Sequence, residues 1–333
     1  MDNTNMRIAV IRLSAIGDVC HAMAVIQAVQ QKYPNAHITW ITSPLEAQLV
    51  SLLPGVDVRV YDKSTGLAGM WQLRQSLADT QFDVLLHLQW SLRASLLSRM
   101  VRAKRRIGFA KAYSREKQHW FVNEYGQTPR SPHVLDSFLS LTANIGVEAV
   151  SLPLALTLAD APITLPERYV VLNPSASKAE RNWTQEGYKA VIDWLLEQGF
   201  EVVLSGGPSA SEKALAESLS RAGVINLVGQ TQLSQMLTVL KQAQWVISPD
   251  TGPAHMATLV GTPVIGLYAH SNPLRTGPYQ DLDKVVSVYQ TLAEQEYQKP
   301  VAELPWASRV HDPKAMSHIS TEQVIATLSR LIK

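Results

Sequence analysis

Short apolar runs alternate with amphipathic segments along most of the 333-residue chain. That alternation predicts parallel sheets flanked by helices, an α/β fold. In the first half the runs "RIAVIRL", "HITWIT", "VDVRVYD" and "FDVLLHLQ" read as strands, and helical periods open at Val19, Leu45, Leu67 and Leu92. The second half repeats the scheme with "RYVVLNPS", "FEVVLSGG", "WVISPD" and "TPVIGLYA", and with helices from Thr184, Ala210, Leu233 and Pro253. Residues 150–169 hold three prolines and no sustained period, which marks a domain boundary. The expected division is a first Rossmann-like domain over 1–160, a second over 161–319 and a terminal helix over 320–333. That helix opens at Ser320 and repeats apolar residues at Val324, Ile325, Leu328 and Leu331, a stripe suited to packing back on the first domain. Two such halves are expected to face each other across a cleft lined by strand carboxyl ends, where open α/β sheets bind their ligands.

Composition narrows the field. A chain of this length with 46% hydrophobic residues buries a large core. A formal net charge of +2 is too small for the whole molecule to bind nucleic acid, so no nucleic-acid partner is expected. The single cysteine, Cys20, offers neither a disulfide nor a metal-ligand set, and points to a reducing compartment. No apolar run approaches the roughly 18 residues of a membrane span, and nothing resembles a signal peptide. A cytoplasmic protein is the expectation.

The candidate chemistry lies at strand ends. "RLSAIGDVCHA", residues 12–22, joins the first strand to the first helix and lacks the G-x-G-x-x-G of a nicotinamide dehydrogenase. Its Asp18 is either a helix cap or a general base directed at a ligand. In "NPSASKAERNWTQEGY", Ser175, Ser177, Lys178 and Arg181 bring hydroxyls and cations to a second strand end, as a diphosphate requires. The Gly206-Gly207 turn adds Glu212 on the next helix. "SPDTGPAH" sets Asp250, Thr251, Gly252 and His255 where a strand turns into a helix, an arrangement that combines helix amides, a dipole and a hydroxyl into an anion site. Residues 99–117 form a basic run with interleaved aromatics, either a solvated face or the landing site of an anionic partner.

Taken in this order, "RLSAIGDVCHA", the "NPSASKAERNW" loop and "DTGPAH" resemble the ADP-heptose:lipopolysaccharide heptosyltransferases of glycosyltransferase family 9, over nearly the whole chain. The resemblance implies a GT-B architecture, with acceptor bound by the first domain and sugar nucleotide by the second. It implies transfer of heptose from ADP-heptose, used as co-substrate, with inversion and without metal or cofactor. The acceptor would be Kdo-lipid A or inner-core lipopolysaccharide, met at the cytoplasmic face of the inner membrane by a peripherally associated enzyme. The small-residue loop inclines toward the family member that adds the first core heptose. By position Asp18 resembles the catalytic base. Asp250, Thr251, Gly252 and His255 resemble the donor-binding turn, with Ser175, Ser177, Glu212 and either Lys178 or Arg181 beside it. Arg115 resembles an acceptor arginine, and Arg105, Arg106 and Lys117 are expected with it. An enzyme of this kind needs one carboxylate as base and fixed positive charge for the departing diphosphate. Two competing readings are another nucleotide-sugar enzyme of the same fold and a non-catalytic binder of anionic glycolipid.

Overall fold

The computed structural model describes residues 5–332, so the expected domain ends at 1–4 and 333 lie outside the described residues. The chain divides into two compact units between Thr157 and Leu158. The first unit contains β1 (Arg7–Ile11), α1 (Ile16–Lys32), β2 (His37–Thr42), α2 (Pro44–Val50), β3 (Val56–Val60), α3 (Gly66–Ser76), β4 (Phe82–His87), α4 (Leu92–Ser98), β5 (Ala103–Gly108), β6 (Glu124–Tyr125) and α5 (Val134–Thr142). The second contains β7 (Tyr169–Leu172), α6 (Gln185–Glu197), β8 (Glu201–Leu204), α7 (Ala210–Leu219), β9 (Val224–Asn226), α8 (Leu233–Gln242), β10 (Trp245–Pro249), α9 (Gly252–Val260), β11 (Val264–Tyr268), α10 (Pro273–Thr276), β12 (Val286–Ser287), α11 (Tyr289–Tyr297) and α12 (Thr321–Ile332).

Each unit holds one six-stranded parallel sheet. The orders are β3-β2-β1-β4-β5-β6 and β12-β11-β10-β7-β8-β9. β1 lies between β2 and β4, with Val10 opposite Trp40 on one side and Leu86 on the other. β7 lies between β10 and β8 in the same way, with Val170 opposite Trp245 and Val202. These strands are apolar on both faces because helices cover both, and Ile8 to Ile11 and Val170 to Leu172 are inaccessible to solvent. In each sheet the winding reverses beside its first strand, between β1 and β4 and between β7 and β10. Loops leave such a switch point in opposite directions and open a crevice there.

The unit boundary has a local cause. The Ala155 amide donates to Gln27 Oε1 at 2.7 Å and the Thr157 amide to the Leu52 carbonyl at 2.9 Å, tying the chain to the first unit. Two residues later the Ala159 carbonyl accepts from Thr238 on α8. The terminal helix, read as suited to packing back on the first domain, buries Val324 and Leu328 in the second unit's core and packs against α6. Its start is closed by reciprocal bonds between Ser320 and Gln323, a capping box.

The basic run is reassigned. Part of it is β5, an interior strand whose Arg105 and Arg106 project to opposite faces. Arg105 forms a bidentate pair with Glu124 on β6, both bonds at 2.8 Å. Arg106 donates to the Ser98 carbonyl at 2.7 Å and to the Val101 carbonyl, tying β5 to the end of α4 and the turn that follows it. Both guanidinia, expected at the acceptor, serve the framework of the sheet.

Candidate functional site

At the first unit's switch point Arg12 leaves β1 and turns inward, with its side chain 3% exposed. It donates to the Leu88 carbonyl beyond β4 at 2.7 Å and to Asp18 Oδ2. Its guanidinium carbon lies 5.3 Å from the Phe138 ring and 6.0 Å from Trp90, within range of a cation–π attraction. Burial pulls its pKa down, while Asp18 and then Glu46 work in the opposite direction. Asp18 itself is the third residue of α1, and its side chain remains 32% exposed. The cap position belongs to Ala15, with no side-chain cap bond, so the capping duty expected of Asp18 is not what the helix uses.

Beside this pair lies a cavity of about 440 Å³, within the range of small-ligand sites. Ser14, Ser43, Lys63, Gln89, Arg93 and Glu116 line it, on the loops and helix starts that follow β1 to β5. Gln89 Oε1 accepts from the Leu13 amide at 3.0 Å, which closes the gap between the β1 and β4 loops. Buried Gln118 donates to the carbonyls of His87 and Gln89 at 2.8 and 3.0 Å, holding the long loop after β5 against β4. In that loop Glu116 and Lys117 adopt left-handed φ of 46° and 61°, uncommon for residues with a Cβ. Glu116 Oε2 accepts from the Leu92 amide at 2.7 Å, and the Lys117 ammonium sits 4.7 Å from the Trp120 ring centre. Arg115 is exposed on the same loop. Burial pushes the carboxyl of Glu46 up, against the pull of its own backbone amide and then of Arg12 and Lys63.

The second unit's switch point is built from neutral polar groups. Asn173, leaving β7, donates through Nδ2 to the Ser175 carbonyl at 2.8 Å and to Thr251 Oγ1 at 3.2 Å. The hydroxyls of Ser248 and Thr251 are 2.8 Å apart. Thr251 precedes α9, whose first turn, Gly252 and Pro253 onward, directs amides that have no partner inside the helix toward the loop ends.

Charge gathers on Asp250, 13% exposed. Arg181 Nη1 lies 3.6 Å from its carboxylate and 3.3 Å from its carbonyl, and His255 Nε2 lies 3.8 Å from Oδ1. Burial alone would raise the Asp250 carboxyl, but His255, Ser271 and Arg181 outweigh it and hold the group below its ordinary value.

The remaining donor-side residues separate clearly. Arg181 is 14% exposed and belongs to the Asp250 cluster, whereas Lys178 is 55% exposed and pairs with Glu180 at 3.6 Å. Ser175 is buried and engaged through its carbonyl, and Ser177 is exposed. Glu212 accepts from the Gly207 amide, and a Cβ on Gly207 would meet its carboxylate at 2.9 Å. It therefore braces the glycine turn. Among the described residues no group of three or more His, Cys, Asp and Glu is arranged to hold a metal ion.

Three residues at these sites escape a motif search: Arg12, Lys63 and Arg93. The available signal was positional, since each lies within three residues of a strand end or in the first turn of the following helix.

Comparisons to known proteins bear on the family and the fold. A family model for glycosyltransferase family 9 (heptosyltransferase) matches residues 70–306. The chain is 41% identical to the lipopolysaccharide core heptosyltransferase OpsX of Haemophilus influenzae, over 97% of its own length and 96% of that protein. Its fold resembles a family 9 glycosyl transferase from Veillonella parvula, with a TM-score of 0.79 at 23% identity, covering 100% of this chain and 98% of that one. E. coli heptosyltransferase WaaC, solved with ADP, gives 0.77 at 20% identity, covering 98% and 100%. At such identities the two structures bear on fold alone, and they bear out the expected pair of Rossmann-like α/β halves. From the family match and the 41% identical relative, the chain is a glycosyltransferase and belongs to family 9, the heptosyltransferases.

Proposed function

We propose that this enzyme transfers heptose from ADP-L-glycero-D-manno-heptose to the Kdo-bearing inner core of lipopolysaccharide, with inversion at the anomeric carbon and without a metal. The observation that carries the reading is Asp18, a half-buried carboxylate fixed at a Rossmann switch point by the fully buried Arg12. Its unbonded oxygen is the base that takes the proton of an acceptor hydroxyl while that oxygen attacks the anomeric carbon. The bond from that carbon to the β-phosphate breaks, and ADP leaves with the electron pair.

Each unit has its share of the work. The first supplies the base and a cavity whose Lys63 and Arg93 suit an acidic sugar acceptor. The second supplies charge for the leaving diphosphate, from Arg181 and the amides that open α9. Asp250 serves there by orienting Arg181 and His255. Of the two candidate cations, Arg181 is assigned to the diphosphate and Lys178 to a solvated rim. Proton donation to ADP is unnecessary, so a second catalytic acid is not needed. The lipid-borne acceptor places the enzyme at the cytoplasmic face of the inner membrane, and among the described residues no helix is long and apolar enough to cross a membrane.

The test is incubation with ADP-heptose and Kdo-lipid A, with the product weighed by mass spectrometry. A gain of one heptosyl residue with stoichiometric ADP release is expected. Release of ADP without a heavier lipid, or no reaction with this donor, would refute the assignment.

A further inference from the structure

β11 ends at Tyr268, and two residues later stands His270, 5% exposed. Its ring is held between two backbone carbonyls. Nδ1 lies 2.9 Å from the Val310 oxygen and Nε2 lies 2.9 Å from the Glu180 oxygen. A neutral imidazole has one N–H and one lone pair, so it donates to one of these oxygens and turns a lone pair on the other. The ring donates to both only with a proton on each nitrogen, and bonds from a charged donor are about twice as strong as neutral ones. Two acceptors at equal distance fit the imidazolium.

The two carbonyls differ in what else holds them. The Val310 amide donates back to the His270 carbonyl at 3.1 Å, and the preceding carbonyls of Arg309 and Ser308 accept from the hydroxyls of Tyr297 at 2.9 Å and Tyr289 at 3.0 Å. That side is fixed independently of the ring. Glu180 belongs to the helical turn Ala179–Arg181, where the amides of Arg181 and Asn182 bond within the loop, to the carbonyls of Lys178 and Ala179 at 3.0 Å. The His270 ring ties this loop to the body of the unit one residue before Arg181, and Trp183 ties it two residues after, through the Ile319 carbonyl at 2.9 Å. When the ring gives up one proton, the bond to Glu180 is the one lost.

Other charges lie on the segments that adjoin the ring. The loop carries Lys178, Glu180 and Arg181, and the segment beside Val310 carries Arg309, His311 and Asp312. Ser271, the next residue, acts on Asp250, which His255 and Arg181 flank. Arg275 on α10 lies over the Trp306 ring at 4.1 Å from its centre. His311 is exposed and bonded to Glu296 at 2.6 Å. His255, His311 and the β-phosphate of ADP bring pH dependence of their own, so the strap is isolated by the ratio between proteins that differ only at residue 270.

We propose that His270 is a positioning residue for the diphosphate site: its doubly protonated ring straps the Ala179–Arg181 turn to residues 308–310 and so sets the Arg181 guanidinium against Asp250, and loss of one proton slackens the loop. The inference rests on the reading that Arg181 meets the diphosphate. The strap itself exists in the free protein and is testable there.

The first measurement is nitrogen NMR of the His270 ring, assigned through its own backbone, with hydrogen exchange of the Arg181 and Asn182 amides corrected for its intrinsic pH dependence. From about pH 6 to about pH 8.5, the range in which histidines titrate, the ring should pass from two protons to one, kept on Nδ1, and the two amides should lose protection. The second is ADP titration into wild type, His270→Gln and His311→Gln. A glutamine amide cannot span both carbonyls and does not titrate. Wild type should bind ADP about fivefold more tightly than His270→Gln at the acid end, the scale of one lost hydrogen bond, and the ratio should approach one at the alkaline end. His311→Gln should follow wild type throughout. A ring that keeps the same number of protons over the whole range, or a wild-type to His270→Gln ratio that does not change with pH, would overturn the proposal. The NMR result decides on wild type alone if His270→Gln fails to fold. A ring that titrates and loosens the loop in a protein that binds no ADP would leave the strap standing and refute the nucleotide reading instead.

Discussion

At the first switch point a buried guanidinium, Arg12, crosses from β1 to the Leu88 carbonyl beyond β4 and leaves a carboxylate, Asp18, toward solvent. At the second, an amide and two hydroxyls, Asn173, Ser248 and Thr251, cross from β7 to β10, and the carboxylate of Asp250 is drawn inside among Arg181, His255 and Ser271. Strand order is the same in both units, so topology supplies the crevice in each and does not choose its chemistry. The pairs differ in exposure: Arg12 is 3% and Asp18 32% exposed, whereas Arg181 and Asp250 are both withdrawn, at 14% and 13%. Under the proposed function the accessible carboxylate of the first suits a proton acceptor, and the enclosed cluster of the second, beside helix amides, suits an anion.

The largest effect expected from breaking this contrast is on turnover. Asp18→Ala should reduce it roughly a hundredfold or more, the usual scale for a lost general base, while ADP-heptose affinity stays within about twofold. Steady-state kinetics with calorimetric donor binding separates the two, and unchanged turnover would remove Asp18 from the reaction. A smaller effect is expected at the cavity. Lys63→Glu with Arg93→Glu should raise the acceptor KM about tenfold or more, since charge-assisted bonds are worth roughly 1.5–3 kcal/mol each, with donor KM unchanged. An equal rise in both KM values would show that the two halves do not divide their ligands.

The smallest is a difference in acid response. Burial, chiefly, with nearby Arg106 and Arg12, pulls His87 at the end of β4 down to about 3. The folded state keeps this ring neutral while the unfolded chain protonates it below its ordinary value, so unfolding free energy falls with pH between about 6.5 and about 3. The limiting slope is about 1.4 kcal/mol per pH unit. Asp250, held below the ordinary carboxylate value of 3.8, keeps its full contribution above that value and loses it as pH falls below it. Urea unfolding at neutral and mildly acidic pH should show His87→Gln with a flatter acid dependence than wild type, and an identical dependence would contradict the assignment.

What was legible in the chain follows from the same physics. The strands buried on both faces stand out as apolar runs, and helices at Leu92, Ala210 and Leu233 begin at the expected residues. β5 was hidden because its arginines reach framework carbonyls and Glu124, so no apolar alternation marks it. α5 was hidden because all its residues are buried and it shows no polar face. Asp18 and the turn at Asp250 were visible through their glycines and strand ends. Arg12, by contrast, reads as the residue that interrupts an apolar run, and only the structure reveals its partner across the sheet. Lys178 and Arg181 are equally plausible in sequence; in the structure the helical turn Ala179–Arg181 directs Arg181 to Asp250, while Lys178 pairs with Glu180.

The division of labour is tested most directly by titrating ADP into wild type, Asp18→Asn and Arg181→Ala under one set of conditions. Asp18→Asn should bind ADP as wild type does, and Arg181→Ala about tenfold or more weakly, the scale of one charge-assisted contact to phosphate. Wild-type affinity in Arg181→Ala together with lost affinity in Asp18→Asn would assign the nucleotide to the other half and contradict the division.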